Sequence, residues 1–455
     1  MTELLDLSIR EQLHELNAGH TTAQEMLDAT LERIQERNQR LRAYVHIDES
    51  GARAQAQRID QLRAAGLDTG PLGGIPVALK DLINAKGQPG YCGSHAFDSK
   101  PAEHDAEIVA RLRGAGAIVL GKVATYEFAL NGPTYDQPYP VARNPWNLEH
   151  ITGGSSSGSA SAVAGGTVRA AIGTDTGGSV RSPASYCGIV GLKPSANRLP
   201  LDGVFPLSQS LDTLGVLAKC VDDAALLLDA MSARQGQEAA ASRINQPVSG
   251  LTVGYARSWL TDDPHTHPAV IELLDAAASS LSLLGVRIAT VTMPDYPAIE
   301  ETGRIILLHE AFLNHQHALE ARGQDYGKTT REVLREGETI STTELSLARE
   351  AALRLRTEID EALGESGIIM TATTLGPAPP LGDGKAAWTP MRTIPFNITG
   401  HPAISIPCGF IGGLPIGLQF IGRHGDEASL CQLAHAFEQN TLHSVQHPPM
   451  WDRDY

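Results

Sequence analysis

Short apolar runs recur along the chain between stretches whose apolar positions follow a helical period. The runs cover residues 75–79, 117–120, 251–255, 286–291, 368–371, 403–407 and 418–421. Each is too short for a typical helix and is bounded by turn formers, so each is predicted as a buried strand. Thr22-Ala23-Gln24-Glu25 has the spacing of a capping box, after which Leu27, Thr30, Leu31 and Ile34 fall on one helix face. Residues 1–65 are therefore expected to form helices packed on the outside of a larger body. Residues 300–363 read as charge-rich helices. Residues 377–384, rich in proline and glycine, carry the strongest loop signal outside the serine-rich segments. Strands alternating with helical patterns predict an α/β fold, a sheet covered by helices on both faces. No internal repeat or linker interrupts the pattern, so residues 1–455 are expected to form one domain.

Composition narrows the function classes. The chain of 455 residues is 42% apolar and 19% charged with 45 glycines, as in a globular enzyme with many tight turns. Its net charge of −16 disfavours nonspecific attraction to nucleic acid or anionic lipid. The start, MTELLDLSIREQL, is acidic where a signal peptide needs a basic region, and no apolar stretch is long enough to span a bilayer. A cytoplasmic location is expected, with no membrane or nucleic-acid partner. Cys92, Cys187, Cys220, Cys408 and Cys431 are odd in number and widely spread, as expected of reduced thiols buried as small hydrophobes.

The candidate chemistry lies in three segments. Ser179 sits in GTDTGGSVRSP (residues 173–183), and Ser155 sits upstream in ITGGSSSGSASAVAGG (residues 151–166). Glycine-rich loops let backbone N–H groups approach a reacting oxyanion with no Cβ in the way. The third segment is the apolar run that ends in Lys80-Asp81. A lysine at the end of a buried strand is a candidate base, because desolvation disfavours its charged form.

Four ordered stretches, GGIPVALKD (73–81), ARNPWNLEHITGGSSSGSASAVAGG (142–166), GTDTGGSVRSPASYCGIVGLKPS (173–195) and FNITGHPAISIPCGFIGGLPIGLQFIG (396–422), resemble the amidase signature family. The resemblance is dense over roughly residues 65–220 and looser near the C-terminal end. It implies a three-layer α/β/α fold with a large mixed central sheet, residues 66–220 forming the catalytic core and residues 300–363 a divergent region that shapes the substrate pocket. It implies a Ser-cisSer-Lys triad: Ser179 as nucleophile, Ser155 as proton relay behind a cis Gly154–Ser155 bond, and Lys80 as base. The oxyanion hole would be the N–H groups of Thr176, Gly177, Gly178 and Ser179. The implied activity is hydrolysis of a small or medium amide to a carboxylic acid and ammonia or an amine, through an acyl-enzyme with no metal or organic cofactor. A homodimer is the assembly it allows. Two positions depart from the family pattern: Ser157 stands where a glycine is usual, and Thr174 where a serine is usual.

Asp175 and Arg181 flank the nucleophile loop and resemble bracing positions. Glu127, in ATYEF, reads equally well as a helix-surface carboxylate. Gly154-Ser155-Ser156-Ser157-Gly158 also fits a nucleophile elbow, which would make Ser156 the nucleophile, although the preceding residues contain turn formers and no buried strand. Residues 116–122 mimic a P-loop, but Val123 stands where a hydroxyl must reach magnesium, so a strand ending in a turn is expected. His265/His267 and His315/His317 are loose pairs without metal-ligand spacing. Two alternatives stay open: the glutaminase subunit of a tRNA-dependent amidotransferase, and a hydrolase of urea-like carboxylates held by Arg392 or Arg143. Against the first, Thr389-Pro390 occupies the place where that subunit carries an acid.

Overall fold

The computed structural model describes residues 4–232, 238–382 and 389–451. Eleven strands form one mixed sheet: β1 (Tyr44–Ile47), β2 (Pro76–Lys80), β3 (Ile118–Val123), β4 (Ala170–Asp175), β5 (Val190–Lys193), β6 (Thr213–Ala218), β7 (Thr252–Tyr255), β8 (Arg287–Thr290), β9 (Ile368–Ala372), β10 (Ala403–Ile411) and β11 (Leu414–Gly422). Their order is β1-β3-β2-β4-β6-β5-β10-β11-β9-β7-β8. β2 runs parallel to β3 and β4, while β6 runs antiparallel to both β4 and β5.

Alternation along β2 shows why both faces are covered. Val77 and Leu79 join one apolar core, with Ile172, Val216 and the helix residues Leu227 and Leu228. Ala78 joins another, with Leu120, Ala171 and the helix residues Leu27 and Ala160. Side chains two residues apart share a face, so each central strand feeds two layers.

The seven expected strands are all present, and six carry buried residues; β8, at the end of the sheet, pairs only with β7 and has none. The capping box forms as expected: Thr22 caps Ala23–Leu41, with Leu27, Thr30 and Ile34 buried and Leu31 at the edge of that face. Residues 300–363 fall in three helices, Tyr296–Arg322, Lys328–Glu338 and Thr342–Leu363. The predicted loop at 377–384 is irregular up to Gly382, and its last two residues lie outside the described residues. The P-loop mimic is the buried strand β3, with Lys122 donating to the Ile83 carbonyl. All five cysteines are free, and all but Cys220 are buried. Among the described residues, no helix is long and apolar enough to cross a membrane.

Candidate active site

Parallel pairing sets Leu79 of β2 against Ile172 of β4, so the C-terminal ends of both strands reach the same edge of the sheet. Open α/β sheets collect their reactive groups along such edges. β2 ends in Lys80 and β4 in Thr174-Asp175. The antiparallel strand β6 begins there, with Thr213 opposite Asp175, which brings Asp212 alongside.

Lys80 is fully buried. Its Nζ donates to Ser155 Oγ at 2.8 Å and to Thr174 Oγ1 at 2.7 Å. Burial pushes its pKa down to about 7, with Asp212 and Asp175 pulling the other way. Both partners are neutral hydroxyls, which accept from the amine without fixing its charge. The threonine at 174 thus keeps the hydroxyl that a serine would offer. Asp212 accepts from Thr176 Oγ1 at 2.6 Å and from the Leu207 and Ser208 N–H groups, and burial raises its pKa to about 6.

The Gly154–Ser155 peptide bond is cis. A Cβ on Gly154 would lie 2.2 Å from the Tyr126 ring, so only glycine fits against that wall. Ser155 and Ser179 line one cavity of about 430 Å³. Their hydroxyls are not hydrogen-bonded to each other, and Ser179 Oγ has no partner among the described residues. Ser156 turns away from the cavity: it is fully buried and donates to the Thr174 carbonyl at 3.1 Å. That removes it as an elbow nucleophile.

Gly178 has a φ of 131°, and a Cβ there would sit 2.2 Å from Thr393 Oγ1, so this turn requires glycine. The turn also corrects one expectation. The Gly178 N–H donates to Asp175 Oδ1 at 2.8 Å, inward and away from the cavity, so it is not an oxyanion donor. Thr176, Gly177 and Ser179 remain as candidates.

Asp175 and Arg181 are both fully buried and paired, with Arg181 Nη2 2.8 Å from Asp175 Oδ1. Burial favours the neutral acid, but the Arg181 charge and hydrogen bonds, with Lys193 and Asn397, hold the carboxyl well below the usual carboxylate range. Arg181 also donates to the Thr393 carbonyl, Gln419 and Asn397, while Thr393 Oγ1 donates to the Gly177 carbonyl. The nucleophile turn is therefore clamped by residues some two hundred positions away. Thr174, Asp212, Thr393, Asn397 and Gln419 carry no role that sequence alone reveals. The FNITG segment holding Asn397 resembles the family, and that resemblance was the one signal pointing toward it.

Helices Tyr296–Arg322 and Lys328–Glu338 supply Tyr296, Glu300, Leu307, Thr329 and Val333 to the cavity wall. Glu127 is neither helical nor on the surface: fully buried, it accepts from Ser94 Oγ and the Gly327 N–H, fixing the start of the second of these helices. Arg392 is buried elsewhere, donating to the Trp259 carbonyl and Asp263 and stacked 3.9 Å over the Tyr296 ring. Arg143 donates to the Leu148 carbonyl. Neither arginine lines the cavity, so neither is placed to hold a substrate carboxylate. A larger groove of about 810 Å³, between residues 290–302 and 351–362, contains none of the three candidate catalytic residues. Among the described residues, no three His, Cys, Asp or Glu side chains cluster as metal ligands would.

Comparison with known proteins gives the family. The family model described as Amidase matches residues 25–431. A glutamyl-tRNA(Gln) amidotransferase subunit from Roseiflexus sp. (strain RS-1) is 34% identical over 478 aligned residues, covering 97% of this chain and 98% of that protein. Native peptide amidase from Stenotrophomonas maltophilia superposes with a TM-score of 0.88 at 30% identity, covering 98% of each chain. A vestigial protein complex described as revealing the origins of an s-triazine catabolic enzyme gives 0.88 at 30% identity, covering 95% of this chain and 98% of that one. The match runs through the strands, loops and helices that build the cavity, and the chain belongs to the amidase signature family of hydrolases acting on C–N amide bonds.

Proposed function

We propose that this amidase works through an acyl-enzyme on Ser179, with Ser155 as proton relay and Lys80 as base. Neutral Lys80 takes the Ser155 proton while Ser155 takes that of Ser179, whose Oγ attacks the amide carbon. The oxyanion is met by the N–H groups of Thr176, Gly177 and Ser179. Collapse breaks the C–N bond as Ser155 returns a proton to the leaving nitrogen and regains one from Lys80. A water, activated through the same relay, then releases the carboxylic acid and restores Ser179. The Ser155–Ser179 link forms as the bound amide orders the site, in the way catalytic hydrogen bonds tighten in a Michaelis complex.

One observation carries the reading: a fully buried lysine, with its pKa lowered to about 7, within 2.8 Å of a serine that shares a cavity with a second serine. A fluorophosphonate probe should label the protein at Ser179, and a panel of primary amides and anilides should yield product. Labelling at another serine, or none, would overturn the assignment. The sheet runs through strands from Tyr44 to Gly422, which supports reading the chain as one catalytic unit, with the helices of residues 300–363 as its substrate-shaping part.

Similarity to the amidotransferase protein favours a second reading, ammonia release from glutamine for a partner enzyme. Glutamine's carboxylate meets no cation among the described cavity residues, which favours the first. Turnover of simple amides by the isolated chain supports the first reading, and glutamine hydrolysis only with added partner proteins supports the second.

The relay has its own signature. Ser155→Ala should lower amide hydrolysis by ~10²–10⁴-fold, the range of general acid–base contributions. Ester hydrolysis should suffer less, because an alkoxide leaves with less need of a proton than an amine. Equal losses on matched ester and amide substrates would make Ser155 a structural residue.

A further inference from the structure

The cavity wall contributed by helix Tyr296–Arg322 is a single stripe. Tyr296, Glu300 and Leu307 are spaced four and seven apart, which puts them on one helix face, and all three line the cavity. Gly303 between them lets the helix lie flush: a Cβ there would stand 2.7 Å from Ile394 Cγ1. Ile394 in turn reaches the nucleophile turn, 3.2 Å from where a Gly177 Cβ would be. The stripe is thus pinned one side chain away from the oxyanion turn.

Glu300 is anomalous on that wall. Among the described residues lining the cavity it alone carries a formal charge, and the lining also includes Leu207, Leu307, Met391 and Ile394; Glu300 borders an adjoining cavity of about 500 Å³ as well, beside Arg392, Asp263 and His265. It is half-buried and makes no hydrogen bond or ion pair with the described residues. The nearby cation Arg392 is committed to Asp263 and to the Trp259 carbonyl. Burial pushes the Glu300 pKa up, with Arg392 and His265 opposing and Asp263 adding to it. A partly desolvated carboxylate without a partner costs stability, and a cation arriving with the ligand offsets that cost.

The geometry points to Glu300 as the specificity-determining residue of the cavity, selecting amide substrates that carry a second, cationic group such as a protonated amine. This inference rests on the amidase mechanism above and adds the substrate's charge. It also predicts poor turnover of amides with a free carboxylate, since like charges would meet on an apolar wall.

A series of ω-aminoalkanamides of increasing length, each paired with the n-alkanamide in which methyl replaces ammonium, tests it at a pH where the amine is protonated. At the best-fitting length the wild-type kcat/KM should favour the ammonium amide by about tenfold or more, the worth of one charge-assisted contact. Glu300→Gln should bring that ratio to about one, Glu300→Asp should keep the preference with a shift in optimal length, and Glu300→Lys should favour ω-carboxylated amides. With no hydrogen bond or ion pair to the described residues to lose, Glu300→Gln should not lower the melting temperature. A wild type that prefers the methyl or carboxylated amides, or a Glu300→Gln variant that keeps the ammonium preference, overturns the assignment while Ser179 labelling still upholds the mechanism. Loss of both labelling and turnover in the wild type overturns the mechanism and this inference with it.

Discussion

Replacing Ser179 with alanine is expected to lower kcat/KM on an amide substrate by at least ~10⁴-fold, while Ser156→Ala leaves most of the activity. The asymmetry follows from direction. Ser179 lines the cavity at the turn after β4 with no hydrogen-bond partner for its hydroxyl among the described residues, while Ser155 is held on Lys80 as the relay. Ser156 is buried with its hydroxyl on the Thr174 carbonyl, so its loss costs about one ordinary hydrogen bond of stability, ~1 kcal/mol. Steady-state kinetics of both variants on the same amide, with circular dichroism as a folding control, decides the matter. The reverse ranking would restore the elbow reading.

The second large effect concerns Lys80. With a pKa near 7 it is neutral above that pH and protonated below it, and only the neutral amine can accept the Ser155 proton. The kcat/KM profile should therefore rise tenfold per pH unit on the acid side and level off above about 7. Lys80→Met should lose ~10³-fold or more of the activity, and the limb with it. Stability supplies an independent check with a defined sign. Lysine at its ordinary 10.5 in the unfolded chain and about 7 in the folded one means that the unfolded state binds more protons between those values. The wild type therefore gains stability as pH rises through that window, and methionine does not. The melting temperature of Lys80→Met relative to wild type should stand higher near pH 7 than near pH 10. A variant with near-wild-type rates would remove Lys80 from the mechanism.

Apolar runs announced seven strands; six are buried and so apolar along most of their length, while β8 pairs with β7 at the exposed end of the sheet. The four that escaped include two of only four residues, β1 and β5, and two broken by a glycine, β4 and β6. β4 reads AAIGTD and hides inside the serine-glycine signature, and β5 is only VGLK. The hairpin joining β10 and β11 did carry a local signal: Gly412 and Gly413 both have positive φ, 60° and 81°, as a tight turn between twisted strands demands.

The site divides along the same line. Lys80, Ser155 and Ser179 were legible as candidates because each sits in a short local run, a strand end or a glycine-serine loop, that resembles the family. Nothing local marks Asp212, whose charge acts on the lysine only because β6 returns antiparallel beside β4. Thr393, Asn397 and Gln419 close around the nucleophile turn from the far end of the chain, since a buried Arg181 must have every donor satisfied. The Gly178 N–H looked from sequence like one more oxyanion donor, and only the fold shows that Asp175 takes it. Arg392 and Arg143 looked like carboxylate ligands and are engaged elsewhere. Sequence by itself determined most of the strand-and-helix alternation and the candidate reacting groups, because both are written in short contiguous patterns. Tertiary structure alone decided which hydroxyls line the cavity, which charge stands without a partner among the described residues on its wall and how far Lys80 is desolvated, because those depend on residues that meet only after long-range strand pairing and helix packing.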